Sequence, residues 1–199
     1  MTEHSPSPTI HACVLAAGSS TRFGATKLIQ PFRGKPLVQH AICTALSVFP
    51  GRVSLVVGHD EKSVVQASGD LGHALVINSN YRSGLGTSIA AGVLSCCDKV
   101  DAIMVLLADQ PLVTREHLMQ IVDNWSGAEN EIVASSFGGA SGPPILFPKQ
   151  AFSALTQLAG DTGARSLLSD SRFDVRKIAF PPAAHDIDTP DDLRKLDES

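Results

Sequence analysis

Short apolar and β-branched runs alternate along the chain with longer segments whose apolar residues recur at helical spacing. The short runs predict β-strands at 12–15, 53–57, 75–77, 102–107, 132–135 and 175–179. The longer segments predict α-helices at 36–49, 61–68, 85–94 and 114–125. A further helix should open at Pro148, a short one at 160–164, and a C-terminal one at the capping sequence Thr189-Pro190-Asp191-Asp192.

The run at 102–107 contains IMVLL and is the most hydrophobic, which predicts a central strand covered on both faces. Alternating strands and helices predict an α/β fold: a single-domain, Rossmann-like, doubly wound and mostly parallel sheet with helices on both faces. The stretch FGGASGPP at 137–144 is rich in turn residues and predicts a loop. Ligands of such sheets bind beyond the carboxyl ends of the strands. The loops of interest are therefore 16–27, 58–60, 78–86, 108–113 and 136–143.

The length of 199 residues suits one domain, placed at 11–197 behind a flexible N-terminal tail at 1–10. The first residues lack the regions of a signal peptide, and no apolar run reaches the ~18 residues of a membrane span. A net charge of -4 argues against a nucleic-acid partner. We therefore expect a cytoplasmic protein with neither a nucleic-acid nor a membrane partner.

The four cysteines, Cys13, Cys43, Cys96 and Cys97, form no C-x-x-C pair and no Cys/His spacing typical of zinc. This pattern predicts buried or half-buried thiols. The histidines are expected to pack or to face solvent, because no spacing pairs them with a partner.

The segment LAAGSSTRFGATK at 15–27 follows the first predicted strand, which is where phosphate-binding loops occur. Gly18 and Gly24 allow the backbone to approach phosphate oxygens, and successive N–H groups in such a loop can form an anion-binding nest. Arg22 and Lys27 add a planar fork and a point charge. The segment is neither a Walker A nor a G-x-G-x-x-G loop, so composition alone leaves an ordinary surface turn equally open.

Two aspartates far apart in the chain are candidate ligands of Mg²⁺. Asp109 directly follows the strand at 102–107 and should face the same crevice as the glycine-rich loop. Asp188 and the weaker candidate Asp186 flank Ile187, so both face the same way on an extended segment. Mg²⁺ typically takes one or two carboxylates together with phosphates and water. For each aspartate, a turn or helix-cap role is the alternative.

The segment 15–27 resembles the L-A-[AG]-G-x-S-x-R-x-G-x-x-K signature of the MobA-like NTP transferases, and the resemblance extends over about residues 11–196. The matching residues are Leu15, Ala16, Ala17, Gly18, Ser20, Arg22, Gly24 and Lys27. Phe23 departs from the family, which frequently has methionine there. The resemblance implies a nucleotide-diphospho-sugar transferase-like fold.

The resemblance also implies roles for particular residues. Arg22, Lys27 and Asp109 would be catalytic, and Asp109 of LADQP would share Mg²⁺ with Asp188, the residue before T-P. The implied nucleotide site consists of Leu15, Ala16, Ala17, Gly18, Ser19, Ser20, Arg22, Lys27, Asn78, Gly84, Thr87 and Ser88.

Resemblances of shorter segments indicate which nucleotide base and which acceptor the protein uses. Ala17 of LAAG and the segment NSNYRSGLGTS at 78–88 resemble the cytidylyl-transferring MocA branch of the family more than the guanylyl-transferring MobA branch. The segments SGPPILFP and LAGDTGARSLL have counterparts on the acceptor side of MocA-type proteins. The implied acceptor residues are Gln110, Gly142, Pro143, Asp161, Gly163 and Arg165. For Asp161 and Arg165, a helix cap and a solvent-facing side chain are equally good interpretations.

The leading hypothesis is Mg²⁺-dependent transfer of CMP from CTP to molybdopterin or molybdenum cofactor, with release of pyrophosphate. A molybdenum hydroxylase or its chaperone is a further expected partner. One alternative keeps this chemistry with GTP or another phosphorylated acceptor. Another is a non-enzymatic accessory protein that delivers cofactor to a molybdenum hydroxylase, which the retained Arg22, Lys27, Asp109 and Asp188 disfavour. An oxidoreductase, as some MocA-like sequences are named, is disfavoured by the lack of a dinucleotide fingerprint.

Overall fold

The computed structural model describes residues 8–161 and 163–198, which form helices packed on both faces of one central sheet. The strands are β1 (Ile10–Ala16), β2 (Pro31–Phe32), β3 (Lys35–Pro36), β4 (Val53–Val57), β5 (Ala74–Ile77), β6 (Ala102–Leu107), β7 (Glu131–Phe137), β8 (Ala140–Pro148) and β9 (Asp174–Ala179). The α-helices are α1 (Leu37–Val48), α2 (Glu61–Ser68), α3 (Leu85–Leu94), α4 (Arg115–Asp123), α5 (Phe152–Thr156) and α6 (Pro190–Asp197). Short 3₁₀ helices span Lys27–Ile29, Tyr81–Ser83, Cys97–Lys99, Lys149–Ala151, Gly163–Ser169 and Pro181–Ala184.

The central sheet has seven strands in the order β5-β4-β1-β6-β8-β7-β9. β1 runs parallel to β4 and β6, and β8 is antiparallel to both of its neighbours, β6 and β7. The register aligns Leu15 with Leu107 and Ala16 with Val57. The carboxyl ends of β1, β4 and β6 therefore lie side by side, and the loops that follow them share one edge of the sheet.

Each face of the sheet carries its own apolar core, because side chains alternate along a strand. On one face, α1 and α4 pack through residues such as Ile42 and Leu118. On the other face, α3 and α5 pack through residues such as Ile89 and Leu155. The strands β1, β4 and β6 are buried along nearly their whole length. These features confirm the predicted single-domain, doubly wound and mostly parallel α/β sheet.

The predicted loop at 137–144 is wrong for most of that segment. Only Gly138 and Gly139 form the turn, with φ of 54° and 80°, and β8 begins at the next residue. The β7–β8 register jumps from Ala134–Ile145 to Ser135–Gly142, so the prolines at 143 and 144 lie in an irregularity outside the ladder. Proline lacks the N–H group that donates to the neighbouring strand, so it is tolerated in a strand at a bulge. Here β8 forms because it pairs with β6 and β7, and the register shift accommodates the two prolines.

Most other predicted elements are present, with ends shifted by a few residues. The helix expected from Pro148 is a 3₁₀ turn leading into α5, and the short helix expected at 160–164 is the 3₁₀ helix Gly163–Ser169. The capping box of α6 is confirmed: Thr189 Oγ1 accepts from Asp192 N at 3.2 Å, and the Asp192 carboxylate accepts from Thr189 N at 2.8 Å. Residues 1–7 of the predicted tail lie outside the described residues. No described helix is long and apolar enough to cross a membrane.

His117 is buried inside the structure and has a packing role. Its ring stacks on Phe180 with the centroids 3.8 Å apart, and its Nε2 lies 2.7 Å from Ser135 Oγ. The Ser135 hydroxyl donates to the carbonyl oxygen of Pro144, so it accepts from the histidine. Nδ1 is buried and has no partner among the described residues. Burial lowers the pKa of His117 below its ordinary 6.5, because the charged ring is poorly solvated there, and the side chain of Gln120 acts in the opposite direction.

This burial predicts a loss of stability in mild acid. The unfolded chain takes up a proton near pH 6.5 and the folded chain at lower pH, so the contribution is complete above about pH 6.5 and declines below it. The free energy of unfolding is to be measured in urea between about pH 7 and pH 5. We expect it to fall less steeply with decreasing pH in His117→Gln than in wild type, with a difference in slope of up to ~1.4 kcal/mol per pH unit. Exposed His185→Gln serves as the control and should keep the wild-type slope. An unchanged slope in His117→Gln would contradict the assignment.

Candidate functional site

The loops after β1, β4 and β6 enclose a cleft at the carboxyl edge of the sheet. It consists of two adjoining cavities of about 580 and 320 Å³. Leu15, Gly18, Ser19 and Asp109 line both cavities. The larger one extends to Ala17, His59, Tyr81, Arg82, Gly84, Leu85, Ser88, Leu107 and Asp161. The smaller one extends to Ala16, Ser20, Thr21, Arg22, Lys27, Leu28, Asp186 and Asp188. The chain thus brings most of the predicted site residues to one place.

The segment after β1 wraps around the entrance of the smaller cavity. Ser20 has a positive φ of 50°, accepts Phe23 N at its carbonyl, and accepts Lys27 N at its hydroxyl, which closes the loop on itself. Within the described residues, the N–H groups of Gly18 and Ser19 meet no protein acceptor. A Cβ placed on Gly18 would meet no atom within 4 Å. The loop therefore offers free backbone donors and open space, which are the requirements for an anion.

Asp60 fixes the far end of this loop, a role that was not predicted from the sequence. Its carboxylate accepts from Thr26 Oγ1 and, at 2.7 Å, from Ser63 Oγ in the first turn of α2. The hydrogen bond from Thr26, followed by that from Ser63, lowers the pKa of Asp60, so the carboxylate stays charged. Its place directly before the helix at 61–68 was the available signal. Asp60 ties the loop to a helix rather than contacting the cleft.

Lys27 joins the loop to the two predicted metal-binding aspartates. Its Nζ lies 2.6 Å from Asp109 Oδ2 and 3.3 Å from Asp188 Oδ1. Arg22 contacts the second oxygen of Asp188 at 2.7 Å. The Lys27 side chain is 11% exposed and that of Arg22 is 74% exposed. The lysine is therefore a nearly buried charge that two carboxylates balance, whereas the arginine lies in solvent.

The backbone around Asp109 holds Asp188 in place. Ile187 N donates to the carbonyl oxygen of Asp109 at 3.1 Å, and the side chain of Ile187 is fully buried in the core. Gln110 Nε2 donates to Ala183 O at 3.1 Å and to Asp186 Oδ1 at 2.8 Å. The segment before α6 is thereby docked against the end of β6. Gln110, predicted on the acceptor side, instead anchors this segment.

Asp186 adds a third carboxylate to the smaller cavity. Although much of the residue is exposed, partial desolvation raises the pKa of its carboxyl, and the negative charge of Asp109 raises it further. The hydrogen bond from Gln110 acts in the opposite direction. Three acidic side chains thus lie close together at the smaller cavity, and a bound cation would offset the repulsion between them.

His59 and Tyr81 form a wall of the larger cavity. Their ring centroids lie 6.0 Å apart, and His59 N donates to the carbonyl oxygen of Ala17 at 3.3 Å. Gly58 makes this wall possible, because a Cβ there would lie 2.6 Å from Tyr81 Cβ. Packing or solvent exposure was the predicted role of His59, although its place after β4 indicated this edge of the sheet.

The segment after β5 contributes less directly than predicted. Asn78 is buried, and its Nδ2 donates to Thr87 Oγ1 at 2.9 Å and to Ser88 Oγ at 3.0 Å. Among the described cavity-lining residues, Gly84 and Ser88 are present but Asn78 and Thr87 are not. Asn78 and Thr87 therefore hold the first turn of α3, which positions Ser88 at the cavity.

Of the predicted acceptor residues, Asp161 lines the larger cavity. Gly163 is buried behind it, and Arg165 is exposed on the 3₁₀ helix. Gly142 and Pro143 lie in β8 rather than in a loop, and line neither cavity within the described residues. The acceptor prediction is therefore supported by position for Asp161 alone.

The donor groups of the cleft suit a metal–polyphosphate ligand. Carboxylate oxygens are ligands for hard cations such as Mg²⁺ and Mn²⁺. Asp109 and Asp188 both contact the ammonium group of Lys27, so their carboxylates lie close enough that they would hold one cation together. The free N–H groups of the neighbouring loop complement phosphate oxygens. Carboxylates that suit a cation and N–H groups that suit an anion thus lie side by side in a single cleft.

Comparisons with known proteins agree with this geometry. Residues 12–175 match the MobA-like NTP transferase domain. The purine catabolism protein PucB of Bacillus subtilis is 33% identical over 198 residues, covering 94% of this chain and 95% of PucB. Nicotine blue oxidoreductase of Paenarthrobacter nicotinovorans is 26% identical over 200 residues, covering 95% of this chain and 97% of that protein. Rv0371c of Mycobacterium tuberculosis has a similar crystal structure, with TM-score 0.84, 28% identity and coverage of 98% and 100%. A structure of Rv0371c in complex with manganese gives a TM-score of 0.80, with 28% identity and coverage of 96% and 99%.

The close packing at Gly84 yields a test of the cleft wall. Gly84 has φ +98°, and a Cβ there would lie 2.3 Å from the carbonyl carbon of Gly160. We expect Gly84→Ala to lower the free energy of unfolding by ~2 kcal/mol or more, through strain and steric overlap. Gly18→Ala is the matched control within the same cleft and should change stability by less than ~0.5 kcal/mol. Equal stabilities of the two variants in urea unfolding would show that the 84–160 contact is wrong.

Proposed function

Because the chain belongs to the MobA-like NTP transferase family and is a nucleotidyltransferase, we propose that it transfers CMP from CTP to a molybdopterin-type acceptor. Mg²⁺ is the proposed cofactor and pyrophosphate the second product. The observation that carries the proposal is the placement of Lys27 between Asp109 and Asp188, beside a loop with free N–H groups. The proposed catalytic domain is 11–197.

The triphosphate is assigned to the loop at 15–27 and the smaller cavity. The N–H groups of Gly18 and Ser19 would bind its oxygens, with Arg22 and Lys27 supplying positive charge. Asp109 and Asp188 would hold Mg²⁺, which would supply a counter-charge for both carboxylates. Lys27, already at the cavity, would then pair with a phosphate, so that its nearly buried charge would keep a partner.

The reaction needs alignment and charge neutralisation more than proton transfer. An oxygen of the acceptor phosphate forms a bond to the α-phosphorus of CTP, while the bond from that phosphorus to the bridging oxygen breaks and pyrophosphate leaves. When bound, Mg²⁺ supplies polarisation of the phosphoryl oxygens. Arg22 and Lys27 neutralise the charge that grows on pyrophosphate. An acceptor phosphate is already an anion, so the cleft needs no general base.

The nucleoside and the acceptor are assigned to the larger cavity. Ala17, His59 and Tyr81 form one wall of it, and Ser88 and Asp161 lie in its lining. The cytosine preference is supported by the LAAG sequence and the 78–88 segment, which resemble the MocA branch. The molybdenum cofactor as acceptor rests on the same resemblance. A molybdenum hydroxylase or its chaperone would be the protein that receives the product.

Removal of one carboxylate tests the catalytic centre. We expect Asp109→Asn to reduce pyrophosphate release by ~10²-fold or more, because the variant loses half of the proposed carboxylate charge at the metal. Its fold should persist, since Asp188 still balances Lys27. Asp123→Asn, exposed at the end of α4, is the control and should keep full activity. Full turnover in Asp109→Asn would refute the role, and an unfolded variant would make Asp109 a structural residue.

A thermal-shift panel tests the base and the metal. CTP, GTP, ATP and UTP are each added with Mg²⁺, with Mn²⁺ or with neither. Ligand at ~100-fold its Kd stabilises the native state by ~2.7 kcal/mol, so we expect CTP with Mg²⁺ to raise Tm by roughly 5–10 °C. A larger shift with GTP would reassign the base. No shift with any triphosphate, in a chain that melts cooperatively, would exclude nucleotide binding and favour an accessory protein.

A further inference from the structure

Three side chains with nitrogen and sulfur donors meet beneath α3, apart from the nucleotide cleft. One ring nitrogen of His11 and the Sγ atoms of Cys13 and Cys96 all lie within 4.8 Å of one another. His11 and Cys13 are two positions apart on β1 and so project from the same face of the sheet. Cys96, directly after α3, packs onto them. The two cysteines are far apart in the chain, so no spacing motif reveals the group.

The local packing is adapted to the sulfur atoms. A Cβ on Gly92 would lie 3.0 Å from Cys13 Sγ, so the glycine in α3 makes room for this thiol. Cys96 Sγ lies 3.6 Å from the carbonyl oxygen of Gly92. Cys13 is 1% exposed and Cys96 is 7% exposed, whereas His11 is half-buried. The imidazole is therefore the most accessible member of the group.

The histidine of the group is oriented and neutral, as a metal ligand must be. His11 Nε2 is hydrogen-bonded to Ser54 Oγ at 2.7 Å, which orients the ring. Burial, followed by the charge of Arg52, lowers the pKa of His11 and favours the neutral imidazole that metals bind. The hydrogen bond between the two thiols lowers the pKa of Cys96 and, together with burial, raises that of Cys13.

We propose that His11, Cys13 and Cys96 form a binding site for Cu(I). Thiolate sulfur and imidazole nitrogen are ligands suited to copper, and Cu(I) accepts trigonal coordination by three donors. Structural Zn²⁺ sites almost always take four protein ligands, and the described residues bring only these three together. A Zn²⁺ site with three protein ligands would need a water molecule as its fourth, beside two cysteines that are 1% and 7% exposed. Coordination displaces the thiol protons to solvent, so binding strengthens as pH rises.

The bound ion would link two elements that also shape the nucleotide cleft. β1 continues from Cys13 to Leu15, which lines both cavities, and α3 contains Ser88, which lines the larger one. A cation held by β1 and by Cys96 therefore joins the strand before the phosphate loop to the far end of that helix. Because it binds the native state, it raises the free energy of unfolding.

Anaerobic titration with Cu(I) against bicinchoninate tests the site. The full-length Cys43→Ala/Cys97→Ala chain retains two of the four cysteines, Cys13 and Cys96, and should bind one Cu(I) with the affinity of the wild type. Adding Cys13→Ser or Cys96→Ser should weaken binding by roughly 100-fold or more, since even outer-shell partners of a metal contribute 10- to 100-fold. Unchanged affinity in these variants, or no stoichiometric binding by the folded parent, would overturn the proposal.

X-ray absorption on the Cu(I)-loaded Cys43→Ala/Cys97→Ala chain counts the ligands without altering the core. We expect two sulfur donors and one nitrogen donor, with the nitrogen lost in His11→Phe. This count decides the matter if the serine variants fail to fold. A different donor set, or a parallel titration in which Zn²⁺ binds these residues and Cu(I) does not, would refute the assignment.

Discussion

The hydrogen bond from Ile187 N to the carbonyl oxygen of Asp109 holds the C-terminal segment against the end of β6. The buried side chain of Ile187 and the hydrogen bond from Gln110 to Ala183 O secure the same segment. Both hydrogen bonds end on backbone atoms, so they fix the course of the chain rather than a rotamer. Asp188 follows Ile187 directly and lies near Asp109, with Lys27 in contact with both. The two-carboxylate centre therefore depends on this one docking.

The docking creates a charge problem that Lys27 resolves. Asp109 and Asp188 would repel each other in a partly desolvated cavity, and the nearly buried Lys27 would be unstable without them. The lysine reduces the repulsion between the two carboxylates, and the carboxylates compensate the charge of the lysine. If the carboxylates hold a cation as proposed, the lysine would be freed for an anion, and binding of the two would be mutually favourable. Arg22 is exposed and contacts the second oxygen of Asp188, so it could reorient toward a bound anion.

β1 connects this centre with the rest of the fold. Its carboxyl end opens into the glycine-rich loop, and its middle carries Cys13 in the core beneath α3. The strand lies between β4 and β6 and is buried over most of its length. Groups along β1 therefore share one well-packed support, which places the loop donors beside the aspartate that follows β6 and the aspartate of the C-terminal segment.

The sequence by itself determined the features that depend on neighbours in the chain. Helical and strand periodicity placed most elements, Thr189 and Asp192 defined the α6 cap, and LAAGSSTRFGATK marked the loop after β1. Only the tertiary structure decided what depends on contacts between distant segments. It turned part of FGGASGPP into β8, because pairing with β6 and β7 outweighs local turn preference, and it gave Gln110 a partner in the C-terminal segment. It also assembled the His11, Cys13 and Cys96 group, because β1 and the end of α3 meet only when the sheet is covered.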